Sequence, residues 1–176
     1  NIYFAIIRMH LNKAQIKWVR SLQLKKNRDA EGVFVAEGEK CVNELRNAFK
    51  LVLLATPDNA TSTEIEQMSS LRTPQGTIGV FRKLSPETRY PTDELILALD
   101  GIQDPGNLGT IIRSSVAFNV DTIVVSNNTV DIYNDKVLRS SEGMLFHINI
   151  IKRDIDTFID ELHKEGYQVY GTKVDG

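Results

Sequence analysis

Cysteine is almost absent: Cys41 is the one cysteine in 176 residues. That excludes a disulfide framework and a Cys-rich zinc site. No apolar run reaches the roughly 18 residues that a helical membrane span needs. The ordered charged, apolar and small-residue regions of a secretory leader are missing too, so a cytoplasmic protein is expected. Histidine is scarce: His10, His147 and His163 are widely spaced and share no ligand pattern, so no metal site is expected. Acidic residues are missing from the first 28 positions, which carry seven basic ones: Arg8, Lys13, Lys17, Arg20, Lys25, Lys26 and Arg28. The remaining 148 residues hold 14 basic and 23 acidic side chains. A basic arm on an acidic body is the charge footprint of a nucleic-acid partner, although a solvated helix face would look the same.

What is present suffices for a core. Hydrophobic residues make up 41% of the chain, which excludes disorder. Met9 offers a native start, and residues 1–8 are then expected to lie outside the natural frame. Asn12 and Gln15 have capping-box spacing at the start of a helix. On its wheel Leu11, Ala14, Trp18 and Leu22 share one face, with Trp18 a packing anchor. Lys13, Lys17 and Arg20 share another face, where they could track phosphates. A β/α alternation follows, with strands at 33–37, 51–56 and 78–82 and helices at 39–49 and 63–71. Residues 84–93 contain Pro86 and Pro91 and read as a linker, with the domain boundary there.

After the linker the pattern is cleaner. A fully apolar strand at 95–99, a turn-rich loop at 100–106, a helix at 107–118 and a strand at 122–126 form one βαβ unit. A short helix at 134–141, a strand at 145–151, an amphipathic helix at 154–165 capped by Gly166, and a strand at 167–170 complete the series.

The loop D-P-G-N-L-G at 104–109 invites a nucleotide-binding reading, which its residues refuse. A dinucleotide fingerprint needs glycine where Asp104 stands. A P-loop needs Lys and then Ser or Thr where Asn107 and Leu108 stand. Gly106 offers positive φ or a close backbone approach, Asn107 a helix cap, and Gly109 tight packing at the helix start. Asp104 is expected to stabilise the turn before Pro105, with a catalytic carboxylate as the lesser alternative. Asn107 and Arg113 are six residues apart, a net rotation of about 240° on a helix, so they do not share a face. By spacing alone, Asn107 as a cap and Arg113 as a surface cation account for both. Cys41 reads as a small packing residue.

Residues 97–126 (LALDGIQDPGNLGTIIRSSVAFNVDTIVVS) strongly resemble the first motif of the SpoU/TrmH family of RNA 2′-O-ribose methyltransferases, in the SPOUT superfamily. The N-x-G-x-x-x-R core lies at Asn107, Gly109 and Arg113. Residues 129–147 (TVDIYNDKVLRSSEGMLFH) resemble the adjoining segment, with Glu142 where small or apolar residues are more usual. FVAEGEK at 34–40 and TPQGTIGV at 73–80 are similar to the family's N-terminal substrate-binding domain.

The resemblance implies an α/β fold: a small N-terminal α/β RNA-binding domain over 9–85, a linker at 86–93, and a parallel-sheet SPOUT-type methyltransferase domain from 94 to 176, knotted when complete. It implies a homodimer that uses S-adenosylmethionine to methylate a ribose 2′-hydroxyl, with ribosomal RNA favoured over transfer RNA by the extra domain. Arg113 and Asn107 become the catalytic candidates. Arg113 stays charged and can engage a phosphate bidentately, but it cannot serve as a free base. Lys13, Lys17, Arg20, Lys25, Lys26 and Arg28 become RNA-binding candidates, and Gly171 and Thr172 the start of the donor pocket. A Gly-Asn-Glu loop and a Ser-Leu-Asn segment would follow residue 176 in this family. Without them the chain is expected to be partial and inactive. The span 56–76 is shorter than the family's usual connection. The rival expectation is a non-catalytic RNA-binding protein on the same scaffold; a nucleotide-dependent oxidoreductase is disfavoured by the failed glycine fingerprint.

Overall fold

A computed structural model describes residues 10–83 and 95–172. The expected linker at 86–93, with its boundary, and residues 1–8 lie outside the described residues.

The first half starts with helix α1 (Lys13–Ser21). Its capping box forms as its residue types dictate: Gln15 N–H donates to Asn12 Oδ1, and Asn12 N–H donates to Gln15 Oε1, both at 2.9 Å. The buried face is Leu11, Ile16, Val19 and Leu22 rather than the expected set. Ala14 is exposed and Trp18 only half-buried. The β-branched Ile16 and Val19 take the core because α1 packs on helix α4 (Ser62–Met68), which rotates the contact stripe away from Ala14. Helix α2 (Lys25–Glu31) ends on Gly32, whose φ of +61° is the left-handed cap that glycine adopts without a side-chain clash.

Strand β1 (Val33–Glu37), helix α3 (Glu39–Ala48), strand β2 (Leu51–Ala55) and strand β3 (Ile78–Arg82) follow, close to the expected bounds. The sheet order is β1-β3-β2, with both pairings antiparallel and Val35 opposite Val80. The central β3 buries Ile78, Val80 and Phe81 completely. Glu37, 5% exposed, keeps its carboxylate hydrogen-bonded by Ser69 Oγ at 2.7 and 2.9 Å, which ties the segment after α4 to β1.

The second half is a parallel sheet ordered β4-β5-β6, made of Ile96–Leu99, Thr122–Val125 and Asn149–Lys152. The central β5 is buried at every position, as the apolar run from Ile123 to Val125 requires, and Thr122 at its start is buried with it. Helix α5 (Pro105–Ala117) links β4 to β5, and helix α6 (Asp135–Ser140) packs on α5. Helix α7 (Ile155–Lys164) covers β6.

Two expected strands differ. Residues 144–147 form a 3₁₀ turn, and β6 starts only at Asn149. Gly143, at φ +82°, bends the chain there, and Phe146 turns onto Phe49 at 4.5 Å instead of extending. Residues 167–170 form no ladder among the described residues: Val169 and Tyr170 are exposed, and an apolar alternation becomes a strand only beside a pairing edge.

The halves share one core. Phe34 of β1 stacks with Tyr133 at 4.8 Å and lies 6.3 Å from Phe146. The same cluster joins Val42 and Leu45 of α3 to Leu108, Ile112, Val137 and Leu138 of the other half. Polar bridges reinforce it: Ser70 Oγ donates to Asp135 Oδ2 at 2.6 Å, and His147 lies 3.3 Å from Glu44 Oε1.

Candidate active site

In parallel sheets, the loops after the strands' C-terminal ends are where ligands bind. Here that end carries residues 100–104, between β4 and α5, and 126–134, after β5. Gly101, at φ +65°, makes the turn out of β4. Its N–H donates to Ser126 Oγ at 2.8 Å. Ser126 Oγ donates in turn to Asn128 Oδ1 at 2.5 Å and lies 2.9 Å from Thr129 Oγ1. Val130 N–H donates to the Ile102 carbonyl at 2.9 Å, and Gln103 Nε2 donates to the Asn128 carbonyl at 2.5 Å. Backbone and side-chain bonds thus pin the two loops together at the mouth of the sheet. The polar residues after β5 passed unnoticed in the sequence; the abrupt end of the apolar run at Ser126 was the signal available.

Helix α5 begins two residues earlier than the spacing predicts, and Asn107 is not its cap. Asp104 is: its Oδ1 accepts from Asn107 N–H at 2.8 Å, with Pro105 at the first helical position. Asp-Pro is itself a helix-start signature, because the carboxylate satisfies a free N–H and proline has none to satisfy. The hydrogen bond from the Asn107 N–H, aided by Lys136 at 3.5 Å, holds the exposed Asp104 carboxyl below its ordinary range. Freed from capping, the Asn107 side chain is exposed in the first turn.

Gly109 does what the sequence suggests. A Cβ there would stand 2.0 Å from Ser140 Oγ and 2.8 Å from the Val137 carbonyl oxygen, so glycine alone lets α5 and α6 approach this closely. Gly106 lies in the helix rather than in a positive-φ turn.

Arg113 projects from α5 about 9 Å further along the axis than Asn107. Its Nη1 donates to Glu142 Oε1 at 2.7 Å, with both side chains more than half exposed. The structure therefore joins Arg113 to Glu142, a residue the sequence left without a role, and not to Asn107.

The RNA-binding candidates divide. Lys13, Lys17, Arg20 and Lys26 are exposed. Lys25 is exposed but paired with Asp29, one turn on. Arg28 must be withdrawn. It is 7% exposed, with Nη1 on the Leu22 and Gln23 carbonyls and Nη2 2.8 Å from Asp131 Oδ2. A buried cation whose Nη1 and Nη2 are held by carbonyls and a carboxylate, with Nε buried and unpartnered, is a strut between the halves and is closed to a phosphate. Gly171 and Thr172 are exposed, and nothing lies within 4 Å of a Cβ built on Gly171. Among the described residues no group of three or more His, Cys, Asp and Glu is disposed to hold a metal ion.

Residues 94–176 match the model of the SpoU rRNA Methylase family, and 13–85 match that of the MRM3-like substrate binding domain. The chain is 33% identical over 174 residues to 23S rRNA (guanosine(2553)-2′-O)-methyltransferase RlmP of Bacillus subtilis (strain 168), covering 90% of this chain and 69% of that protein. The chain belongs to the SpoU rRNA methylase family. It is also 38% identical over 95 residues to the mitochondrial rRNA methyltransferase 3 of Mus musculus, where the match covers 50% of this chain and only 23% of that protein. Among solved structures, a TrmH-family protein from Porphyromonas gingivalis superposes with a TM-score of 0.83 at 30% identity, over 94% of this chain and 72% of that one. The AdoMet-bound rRNA methyltransferase from Sinorhizobium meliloti superposes with a TM-score of 0.78 at 28% identity, over 96% and 72%. Each matched model covers one half, and both superpositions take in the two halves.

Proposed function

We propose that this SpoU-family protein is an S-adenosylmethionine-dependent RNA methyltransferase that methylates a ribose 2′-hydroxyl of ribosomal RNA. The observation that carries the reading is Arg113: the arginine of the N-x-G-x-x-x-R motif stands more than half exposed on α5, with its guanidinium on the carboxylate of Glu142, itself half exposed. Family membership and the AdoMet-bound relative support S-adenosylmethionine as donor. Gly171 and Thr172 add no support.

A ribose hydroxyl is a poor nucleophile until its proton is lost or shared. Arg113 holds the target phosphate or the developing alkoxide through charge-assisted hydrogen bonds, and this lowers the cost of deprotonation. It takes no proton itself. Asn107, its amide free because Asp104 caps the helix, positions the nucleotide or the neighbouring loop. Lys13, Lys17, Arg20 and Lys26 grip RNA backbone through the first half, and the shared core holds that half fixed against the second. RNA enzymes work on unstacked nucleotides, which a separate gripping half can present.

A cytoplasmic place of action and a homodimer belong to the same proposal. The Bacillus subtilis relative supports the first, although other relatives are named mitochondrial. The family resemblance supports the second. No described helix is long and apolar enough to cross a membrane.

The test is transfer of a radiolabelled methyl group to ribosomal RNA by the protein as its gene encodes it, with the product linkage resistant to alkali. Arg113→Ala should lower the rate by about 10²–10³-fold, as loss of one oxyanion donor does elsewhere. RNA binding without transfer to any RNA would leave the non-catalytic scaffold as the answer.

A further inference from the structure

We propose that Glu142 is a built-in competitor for the anion site of Arg113: its carboxylate occupies the guanidinium until an RNA phosphate displaces it. The inference rests on the role proposed for Arg113 and adds a residue the family motif does not supply.

Three observations carry it. The contact is direct, Arg113 Nη1 to Glu142 Oε1 at 2.7 Å. It is also weakly held, because the side chains are 56% and 52% exposed, where water and mobile ions screen the pair and an incoming phosphate can reach it. Finally, the backbone goes out of its way to present it. Glu142 lies at φ +50°, in the left-handed region that non-glycine residues rarely adopt, just after α6 and immediately before Gly143 at φ +82°. The α5–α6 approach that Gly109 permits sets the distance between the helices, and Glu142 stands two residues beyond α6 in a turn tied back to it by the Glu142 N–H, which donates to the Arg139 carbonyl at 3.1 Å. A carboxylate and a phosphate draw on the same N–H donors, so Glu142 competes with a phosphate for Nη1 and for the charge of the guanidinium.

The consequence is a binding cost that depends on Arg113. Displacing an exposed ion pair of this kind weakens RNA binding by roughly 1.4- to 5-fold. Glu142→Gln removes the charge and keeps the shape. Glu142→Gly removes the side chain and suits the positive φ, which protects the fold.

The experiment measures the dissociation constant of a fluorescein-labelled single-stranded ribosomal RNA fragment by anisotropy at fixed salt. The proteins are the wild-type chain, both Glu142 variants, Arg113→Ala and the double variant Arg113→Ala/Glu142→Gln. Both Glu142 variants should bind about 1.4- to 5-fold tighter than wild type, and Arg113→Ala should bind more weakly. The double variant should match Arg113→Ala, because Glu142 has no effect once its partner is gone. Tightening of equal size in the Arg113→Ala background would make Glu142 a general repulsive charge and overturn the inference, as would no tightening at all. Unchanged affinity in Arg113→Ala would instead overturn the RNA-binding role of Arg113 on which the inference stands. A purely structural role for Glu142 would lower the thermal midpoint of Glu142→Gln without tightening binding, which also overturns it.

Discussion

Arg28 and Asp131 are 103 residues apart and meet through one hydrogen bond, Nη2 to Oδ2 at 2.8 Å, with side chains 8% and 12% exposed. The arginine comes from α2 in the half built on the antiparallel sheet. The aspartate comes from the loop between β5 and α6, at the mouth of the parallel sheet. One charge from each half is thus removed from water to fix how the halves meet, beside the stack of Phe34 on Tyr133.

Breaking that pair on one side leaves a buried charge unpaired. Arg28→Met should destabilise the fold by about 3–5 kcal/mol, read as a lowered urea midpoint. The folded fraction should bind RNA with an unchanged salt dependence. A salt dependence that falls in Arg28→Met would return this residue to the RNA-contacting face.

The exposed cations of α1 carry the opposite expectation. Lys13→Gln/Lys17→Gln/Arg20→Gln should leave the thermal midpoint nearly unchanged, because all three side chains point to water. The slope of log affinity against log salt should fall by about 0.7 for each phosphate that these side chains neutralise on single-stranded RNA. Titrating binding over several salt concentrations checks this, and an unchanged slope would show that α1 does not touch the RNA backbone.

Gly109→Ala should cost about 1–3 kcal/mol by overpacking, measured by chemical denaturation. Ser140 could rotate away from the new methyl group, but the Val137 carbonyl oxygen at 2.8 Å is backbone and cannot. Adding Ser140→Ala should therefore recover only part of the loss.

Asp29 ties acid stability to the junction of α2 and β3. Partial burial pushes its carboxyl up, but hydrogen bonds from the Lys25 and Lys83 ammonium groups outweigh this and hold it at about 2, below the ordinary 3.8. A carboxyl held low when folded stabilises the fold above its unfolded pKa and loses that contribution as the pH falls through the folded value. Stability attributable to Asp29 should thus be complete above pH 4 and vanish between about pH 4 and 2. Urea midpoints of wild type and Asp29→Asn across that window should converge as the pH falls. Parallel curves would exclude the linkage.

Much of this was legible from local pattern. The Asn12–Gln15 capping box, the bounds of β1 and β3, the buried run of β5 and the helix that carries Arg113 depend on residues a few positions apart. Capping, periodicity and turn chemistry act at that range. The motif Asn107, Gly109, Arg113 was legible for a different reason: it resembles a known family, whereas its spacing alone favoured a cap and a surface cation.

Contacts between distant residues decided the rest. Sequence alone led to an α/β chain with a basic N-terminal helix face, because composition and short-range pattern encode these directly, and the family resemblance supplied the methyltransferase motif. Only the tertiary structure showed that β1 and β2 pair through β3, that Arg28 faces inward to Asp131, and that Glu142 meets Arg113. Whether a charge stands in water or beside an opposite charge depends on what chain folding brings next to it, and no local rule specifies a neighbour 29 or 103 residues away.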